Sequence, residues 1–167
     1  QIPYWAELWP SAIGLGEFIQ ENRKLFANQN VLEIGCGLGL PGIVAGRFAE
    51  KVILSDYLPE PLEVADLNWR LNNSGEPSTM LLDWRTDTPS LPADILIASD
   101  VAYERRMFDP LIHSFERLVA SDGTVIISEP DRHFARTFFN RFTEQGWQVE
   151  KTARKVRRKG IEYNVNI

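Results

Sequence analysis

A glycine-rich stretch at positions 30–42, Asn-Val-Leu-Glu-Ile-Gly-Cys-Gly-Leu-Gly-Leu-Pro-Gly, constrains this chain more than any other feature. The short apolar run before the glycines predicts a buried strand, and Pro41 suits the first turn of a following helix. Between them, Gly35, Gly37 and Gly39 allow a sharp turn and a close approach of the backbone to a ligand. Strand, glycine turn and helix in this order predict a nucleotide-type pocket at the carboxyl edge of a sheet.

The glycine spacing separates three kinds of glycine-rich loop. A P-loop requires a Lys-Ser or Lys-Thr pair after its glycines, and no such pair follows here. A dinucleotide fingerprint would place a third glycine at position 40, which is Leu40. The pattern that remains, Glu33 followed by Gly35, Gly37 and Gly39, resembles motif I of the seven-strand S-adenosylmethionine-dependent methyltransferases. For the loop alone, a tight turn without a ligand stays an alternative.

The rest of the chain alternates short apolar strands with amphipathic helices. After a leading helix with Ser11 as its N-cap, the pattern predicts strands at 31–34, 51–55, 79–82, 94–98 and 124–128, and helices at 42–48, 59–71 and 108–119. A break is predicted at Asp122-Gly123, and Phe134, Phe138 and Phe142 line a further helix. The last part alternates in polarity around Lys159-Gly160, as two antiparallel strands do. The sequence therefore predicts an α/β protein with a Rossmann-like seven-stranded sheet, helices on both faces and a C-terminal antiparallel hairpin.

Length and composition limit the organisation of the chain. At 167 residues it is long enough for a single domain over 1–167, with an N-terminal aromatic segment and helix in 1–29 and the hairpin in 147–167. No apolar run approaches the roughly 18 residues of a membrane span, so we expect no membrane insertion. The net charge of −5 argues against nucleic acid as the main partner.

Cysteine and histidine usage points away from metal chemistry. Cys36 is the only cysteine, which excludes an intramolecular disulfide and favours a reducing, cytoplasmic setting. Although it lies in the glycine loop, we interpret it as a small residue that fills a tight turn. His113 and His133 have no partner at a metal-ligand spacing, so we predict no metal site.

Basic residues are concentrated near the C-terminus. Such a cluster is either an interaction patch or the solvated face of edge strands, and we favour the solvated edge. The residues are Lys151, Arg154, Lys155, Arg157, Arg158 and Lys159.

Acidic and aromatic residues follow three of the predicted strands. Asp56 and Tyr57 come after the second strand, Asp83 and Trp84 after the third, and the segment 99–103 after the fourth. Because the carboxyl ends of parallel strands meet at one edge, we expect these residues to face the glycine loop. An acid about 20 residues beyond the glycines is where a ribose is bound through its hydroxyls.

Together these stretches resemble the methyltransferase-like protein-lysine methyltransferases known as family 16, which carry an Asp-x-x-Tyr motif after strand four. The likeness spans nearly the whole chain, and the Asp-Trp pair with the Asp-x-x-Tyr motif is more specific than motif I. The resemblance implies the seven-strand fold, S-adenosyl-L-methionine as methyl donor, and a protein substrate methylated on nitrogen, commonly that of lysine. The motifs are Trp9-Pro10, Glu33 to Gly39, Asp56-Tyr57, Leu82-Asp83-Trp84 and Asp100-Val101-Ala102-Tyr103.

Under this resemblance the first two strands supply most of the predicted donor contacts. The backbone at Gly35 and Gly37 would lie against the methionine part of the donor, with Glu33 reaching its ammonium directly or through water. Asp56 would accept hydrogen bonds from both ribose hydroxyls, and Tyr57 would pack on the adenine.

Further donor contacts are predicted from the later strand ends and the N-terminus. Asp83 would accept from the adenine amino group, Trp84 would form a flat apolar wall, and Ser99 would join them at the end of strand four. For Asp83 and Trp84 the alternatives are a strand-end cap and a core aromatic. Trp5 and Trp9 either pack on the core or roof a ligand, and Trp9 is the one expected to close the pocket.

Asp100 and Tyr103 are the predicted catalytic residues. They follow strand four, where the nucleophile would enter, and can orient its N–H bonds while aromatic faces stabilise positive charge. A carboxylate beside a lysine favours the ammonium form, so we assign Asp100 to orientation and charge stabilisation before base catalysis. The alternative for Asp100 is an N-cap of the next helix.

Three other functions compete with protein methylation. Adenine N6-methyltransferases of nucleic acid place two prolines inside the motif after strand four, where this chain has Val101 and Ala102. A small-amine methyltransferase of the nicotinamide type needs a closed pocket, and the chain has few residues for a lid. A non-catalytic adaptor would keep the fold and bind a partner through the basic segment 151–159.

Overall fold

The computed structural model describes residues 2–86, 92–131 and 135–167, and within them seven strands form one sheet. The strands are β1 (Asn30–Ile34), β2 (Lys51–Asp56), β3 (Ser78–Leu81), β4 (Ala93–Ser99), β5 (Val119–Pro130), β6 (Ala153–Arg158) and β7 (Ile161–Asn166). The helices are α1 (Pro10–Glu21), α2 (Arg23–Phe26), α3 (Leu40–Ala45), α4 (Pro59–Asn72), α5 (Phe108–Leu118) and α6 (Ala135–Glu144). Short 3-10 turns lie at Tyr4–Ala6 and Arg105–Met107.

The strands lie in the order β3-β2-β1-β4-β5-β7-β6. Strands β1 to β5 run parallel, whereas β7 is antiparallel to both β5 and β6. The chain builds outwards from β1 to β3 and then returns to β4, so the strand order reverses between β1 and β4. Open α/β sheets bind ligands at the carboxyl ends of the strands at such a switch point. The predicted fold class is confirmed.

Each face of the sheet carries its own hydrophobic core. Along β1, Leu32 and Ile34 belong to the core that α5 and α6 cover, while Val31 belongs to the core that α1, α3 and α4 cover. Phe115 of α5 stacks on Phe142 of α6 with ring centroids 5.8 Å apart. Because both faces are buried, the inner strands are apolar almost throughout, as parallel strands usually are.

Two predicted boundaries are wrong. Helix α1 begins at Pro10 with Trp9 as the N-cap residue, because the fixed φ of proline suits the first helical position, and Ser11 is buried inside the helix. Strand β5 continues through Asp122-Gly123, where we predicted a break. Its pairing with β4 passes from Val119 to Thr124, so the intervening residues form an irregularity within the strand.

The C-terminal hairpin is present but shorter than predicted. Strand β6 begins at Ala153, not at Trp147, and it pairs with β7 from Ala153↔Asn166 to Arg158↔Ile161. Lys159 and Gly160 connect the strands with φ of 48° and 79°. Two positive φ values match the twist of a two-residue hairpin turn, so the predicted turn is confirmed.

Two arginines of the basic segment form ion pairs with the N-terminal part of the chain. Arg154 of β6 donates to Glu21 of α1 at 3.0 Å, and Arg158 forms an ion pair with Glu7. The Arg154 and Arg158 side chains are only 17% and 18% exposed, so neither is a solvated edge residue. These pairs instead tie the hairpin to α1 and to the N-terminal segment.

Two residues named in the sequence analysis, His133 and Phe134, lie outside the described residues. Phe138 and Phe142, which were predicted on the same helix as Phe134, are buried on α6. His113 is exposed on α5, with Nδ1 3.7 Å from Glu116.

In the described ranges, no helix has the length and apolar character needed to cross a membrane, and no group of three or more His, Cys, Asp or Glu side chains is placed to hold a metal ion.

Candidate active site

A cleft of about 840 Å³ opens at the carboxyl ends of β1, β2 and β4. All predicted site residues line it except Glu33 and Asp83. Those that it brings together are Trp9, Gly35, Gly37, Asp56, Tyr57, Trp84, Ser99, Asp100 and Tyr103. Residues that are far apart in sequence therefore meet at the switch point of the sheet, and the most distant pair, Trp9 and Tyr103, is 94 positions apart.

The glycine loop between β1 and α3 requires its glycines. Gly35, Gly37 and Gly39 have φ of 61°, 51° and 78°, in the left-handed region that other residues disfavour. A Cβ on Gly37 would also lie 3.0 Å from the backbone oxygen of Trp5, and one on Gly35 would lie 3.1 Å from Val101. The loop backbone is therefore exposed to the cleft because side chains are missing there.

Asp56 connects this loop to the end of β2. Its carboxylate is 4% exposed, and Oδ2 accepts the N–H of Gly37 at 3.1 Å while Oδ1 accepts that of Leu58 at 3.4 Å. Burial raises the pKa of Asp56, against the opposing effect of these hydrogen bonds. Asp56 thus lines the cleft beside the glycine backbone, and its contact with a ribose stays a prediction.

Glu33 lies under the loop and does not line the cleft. It is fully buried, and its Oε2 accepts the N–H of Gly42 at 2.9 Å. Burial raises the pKa of Glu33 to about 8, and the nearby charge of Asp56 adds to the rise. The structure thus places Glu33 as a support of the loop–helix junction, and not where it would touch a ligand directly.

Tyr57 and Trp84 form an aromatic wall on one side of the cleft. Their rings meet edge to face with centroids 6.4 Å apart, and Trp84 is 7% exposed. The guanidinium of Arg85 lies 5.1 Å from the centre of the Tyr57 ring. Trp84 belongs to the hydrophobic core and also lines the cleft, so the core-aromatic alternative holds for it and its role as an adenine wall stays a prediction.

Asp83 is turned towards Arg85 and does not line the cleft. Its Oδ1 accepts from Nε of Arg85 at 2.7 Å and its Oδ2 from Nη2 at 2.6 Å, while the backbone N–H of Arg85 also donates to Oδ1. Hydrogen bonding from Arg85 lowers the pKa of Asp83. The structure therefore does not bring Asp83 to the predicted adenine contact.

Asp100 and Tyr103 lie on the opposite side, after β4. Asp100 is 5% exposed, has a φ of 53°, and donates its backbone N–H to the oxygen of Ser128 at 2.9 Å. The helix-cap alternative for Asp100 is wrong, because the next helical turn begins at Arg105 with Glu104 as its N-cap. Burial raises the pKa of Tyr103.

The N-terminal segment covers the cleft between these two sides. The indole Nε1 of Trp9 donates to the oxygen of Tyr4 at 3.1 Å, and the Tyr4 ring lies 5.8 Å from that of Tyr103. Trp5 and Trp9 are half-buried and line the cleft, which favours the roof over the core. The ion pair between Glu7 and Arg158 attaches this segment to β6.

Glu129, near the end of β5, was not among the predicted site residues. It is 1% exposed, and its Oε1 accepts the backbone N–H of Val101 and that of Ala102, each at 2.8 Å. The signal was an acid at the carboxyl end of the fifth strand, the same signal that identified Asp56 on the second. Cys36, by contrast, fits the space-filling interpretation, because burial raises the pKa of its thiol well above the usual range.

Solved methyltransferases share this architecture. The chain is similar to the N-methyltransferase NodS of Bradyrhizobium japonicum WM9, solved with S-adenosyl-L-homocysteine, with a TM-score of 0.70 at 15% identity over 95% of this chain and 97% of that one. It is also similar to the magnesium protoporphyrin IX methyltransferase of Synechocystis PCC 6803, with a TM-score of 0.69 at 16% identity over 93% and 76% of the two chains. The fold is that of the S-adenosylmethionine-dependent methyltransferases.

Within that class, residues 5–145 match the family described as lysine methyltransferase, and the chain belongs to this family, as predicted. Over 115 residues it is 36% identical to the histone-arginine methyltransferase METTL23 of Xenopus laevis, covering 65% of this chain and 49% of the relative. Over 168 residues it is 29% identical to the EEF1A lysine methyltransferase 3 of Mus musculus, covering 97% and 70%. The chain spans about half the length of the METTL23 relative.

The residues of the cleft fit S-adenosyl-L-methionine. The glycine loop leaves a cradle that a Cβ at Gly35 or Gly37 would narrow, and the Asp56 carboxylate lies at its edge. Tyr57 and Trp84 offer apolar ring surface next to that carboxylate. A cleft of about 840 Å³ also lies within the range of small-molecule and cofactor sites.

Proposed function

We propose that this chain is an S-adenosyl-L-methionine-dependent N-methyltransferase that methylates a lysine side chain of a protein. The observation that carries the proposal is the cleft itself, where the Gly35–Gly39 loop and Asp56 face Asp100 and Tyr103. One side offers backbone and a carboxylate for a nucleoside, and the other offers a carboxylate and a phenol for an amine. Membership of the lysine methyltransferase family supports the same activity.

The donor would be held mainly by the first two strand ends. Gly35 and Gly37 would contact its methionine part, and Asp56 would accept from the ribose hydroxyls. Tyr57 and Trp84 would enclose the adenine. Ser99 and Trp9 complete the proposed contacts at the end of β4 and in the roof. When bound, the donor supplies an electrophilic methyl group on a sulfonium.

For Glu33 and Asp83 the proposal needs more than the contacts shown. Glu33 would act through the loop that it supports, or through water, since it does not line the cleft. Asp83 would have to turn from Arg85 to meet an adenine amino group. We therefore expect substitutions at these two residues to change donor affinity less than substitution of Asp56.

On the acceptor side the chain would orient and desolvate the lysine. A free lysine has a pKa of about 10.4 and must lose its proton before its nitrogen can attack. Asp100 would orient the remaining N–H bonds and stabilise the positive charge that develops on the nitrogen. Tyr103 would add its hydroxyl and its ring face. The reaction needs no covalent enzyme intermediate.

Arginine is the second candidate acceptor, because the METTL23 relative is named a histone-arginine methyltransferase. The EEF1A relative, named a lysine methyltransferase, aligns over 97% of this chain, and the electron transfer flavoprotein beta subunit lysine methyltransferase of Xenopus laevis is 31% identical over 78% of it. We rank lysine first on this wider coverage. A guanidinium keeps its charge, so an arginine enzyme would depend still more on carboxylates such as Asp100.

The remaining alternatives rank lower. Nucleic acid as substrate is disfavoured by the net charge of −5 and by Val101 and Ala102 in the motif after β4. The adaptor alternative loses support because Arg154 and Arg158 are paired within the chain. The small-amine alternative gains support, since the N-terminal segment lines the cleft and can act as its roof.

We further propose that residues 1–167 act as a single methyltransferase domain in a reducing compartment such as the cytoplasm. One continuous sheet across the described ranges supports the first part of this proposal. The single buried cysteine supports the second.

Incubation with methyl-labelled S-adenosyl-L-methionine and a cell lysate tests the proposed function. We expect the label on protein, and acid hydrolysis should release it as methylated lysine. Release as methylated arginine would favour the second candidate, and label confined to small molecules or RNA would refute a protein substrate. A matched incubation with the Asp56→Ala variant controls for transfer by contaminating enzymes.

A further inference from the structure

The buried carboxylate of Glu129 holds the loop that carries Asp100. Its Oε1 accepts the backbone N–H of Val101 and of Ala102, each at 2.8 Å. These N–H groups belong to the two middle positions of the Asp-x-x-Tyr motif. A single oxygen atom therefore fixes the backbone between the two proposed catalytic residues.

The loop needs such an anchor because its local conformation is unfavourable. Asp100 has a φ of 53°, which places a residue with a Cβ in the left-handed region. Residues 101–103 belong to no helix or strand, so regular secondary structure does not fix them. The fixed points shown for this loop come from β5, where Ser128 accepts the N–H of Asp100 and Glu129 accepts the next two.

Glu129 is itself well placed for this task. It pairs with Asn166 of β7 in the sheet, and the following Pro130 favours an extended backbone at Glu129. The residue is 1% exposed, so water does not compete strongly for its carboxylate. It does not line the cleft, and therefore acts on a ligand only through the loop.

We propose that Glu129 is a positioning residue for methyl transfer, because its hydrogen bonds to Val101 and Ala102 hold Asp100 in the left-handed conformation at the cleft. This inference rests on the proposed function, in which Asp100 acts on the acceptor nitrogen. Displacement of a reacting or orienting group by about 1 Å can cost about 10²-fold in rate. Loss of the anchor should therefore lower kcat far more than it changes donor affinity.

Three substitutions separate the reach of the side chain from its charge. Glu129→Gln keeps an acceptor oxygen at the same distance, Glu129→Asp keeps the charge but shortens the reach, and Glu129→Ala removes both. We expect kcat within about threefold of wild type for Gln, a loss of about tenfold for Asp, and a loss of about 10²-fold for Ala. S-adenosylhomocysteine affinity should stay within about threefold in all three. If the Ala variant does not fold, the order of Gln and Asp still decides, since Asp more active than Gln would overturn the proposal.

Asp94, at the amino end of β4 and therefore at the end of the strands opposite the cleft, provides a matched control. Its Oδ2 also accepts a backbone N–H, that of Asn30 at 2.7 Å, together with the side-chain amide of Asn30 at 2.9 Å. Asp94→Ala should lower the melting temperature while kcat of the folded protein stays within about twofold, since the lost bonds anchor no cleft residue. An equal fall in kcat for Asp94→Ala and Glu129→Ala would show a general structural effect and overturn the proposal.

Amide hydrogen exchange makes the test independent of turnover. In wild type and Glu129→Gln, the Val101 and Ala102 amides should exchange slowly, and in Glu129→Asp they should exchange at least tenfold faster. Unchanged exchange in the Asp variant would overturn the anchoring role even if activity fell. Absence of methyl transfer in the wild type would instead refute the proposed function, while the exchange data would still decide whether Glu129 holds the loop.

Discussion

The two loops that face each other across the cleft hold their shapes by different means. On the donor side, the left-handed conformations fall on Gly35, Gly37 and Gly39, for which they are readily accessible. On the acceptor side, the left-handed conformation falls on Asp100, which adopts it less readily than glycine, although aspartate tolerates it better than most residues with a Cβ. The donor loop therefore owes its shape to residue type as well as to contacts with β2, whereas the acceptor loop owes its shape mainly to contacts with β5.

This difference predicts how the two sides respond to substitution. A change in the donor loop acts where it is made, because the loop must keep its backbone bare for the ligand. A change at the acceptor loop can act from a distance, because Ser128 and Glu129 hold it from the neighbouring strand. We therefore expect donor affinity to report on the first side and kcat on the second.

The largest effect that we expect is on the acceptor side. Asp100→Asn keeps the size of the side chain and one acceptor oxygen but removes the charge, so kcat should fall by about 10²–10³-fold. S-adenosylhomocysteine affinity, measured by calorimetry, should remain within a few-fold of wild type. Tyr103→Phe should act in the same direction but less, since only a hydroxyl is lost.

A thermal melt controls for a structural role of Asp100. If Asp100→Asn lowered the melting temperature while the folded fraction kept its full specific activity, the assignment to charge stabilisation would be wrong. The two loops would then differ in structure, but Asp100 would have no catalytic role on the acceptor side.

On the donor side, Asp56→Ala should weaken S-adenosylhomocysteine binding by at least about tenfold. The variant loses a charge-assisted contact to the ligand and the acceptor of the Gly37 N–H, which should cost about 1.5–3 kcal/mol of binding free energy. Asp66→Ala on α4, which breaks an exposed pair with Arg70, is the matched control and should leave the affinity unchanged. Equal affinities in wild type and Asp56→Ala would remove Asp56 from the site.

Gly37→Ala should weaken donor binding somewhat less than Asp56→Ala does, because the new Cβ would lie 3.0 Å from the backbone oxygen of Trp5. Gly75→Ala separates this effect from backbone strain, since Gly75 also has a positive φ, of 83°, but nothing lies within 4 Å of the added carbon. We expect about three- to tenfold weaker donor binding for Gly37→Ala and no change for Gly75→Ala, while both lose some stability. Similar donor affinities in the two variants would contradict a tight fit between the loop and its roof.

The same difference explains what the sequence could and could not predict. The glycine spacing, the acids at strand ends and the alternation of strands with helices depend on local residue types, and they led to the correct fold and to most of the predicted site residues that line the cleft. Glu129 was missed because its role depends on a side chain reaching from β5 to a loop after β4. The pairing of Arg154 with Glu21 was missed for the same reason, since 133 positions separate the two residues.

Asp83 and Glu33 show the limit within the motifs themselves. The motif gave the residue types, but the neighbour Arg85 turned Asp83 away from the cleft, and the Gly42 N–H turned Glu33 towards the helix. Sequence pattern fixes which groups are near a site more reliably than it fixes which atom each group contacts. The donor roles of these two residues remain predictions.

The last prediction concerns the pH dependence of the stability of the donor side. Burial raises the pKa of Glu33 from its ordinary 4.5 to about 8, so between these values the folded protein binds a proton that the unfolded chain releases. The resulting stability is fully present below pH 4.5 and is lost as the pH rises to 8. The nearby Asp56 has a pKa shifted in the same direction, and this contribution remains in both proteins when Glu33→Gln is compared with wild type.

In urea unfolding of the ligand-free proteins, the free energy of unfolding of wild type relative to that of Glu33→Gln should fall by up to about 1.4 kcal/mol per pH unit. Glu63→Gln, on the exposed face of α4, is the matched control. A stability difference between wild type and Glu33→Gln that stays constant from pH 5 to pH 8 would mean that Glu33 is ionised under the loop. The donor side would then hold its shape partly by charge, whereas the acceptor side, by our proposal, depends on the reach of Glu129 and not on its charge.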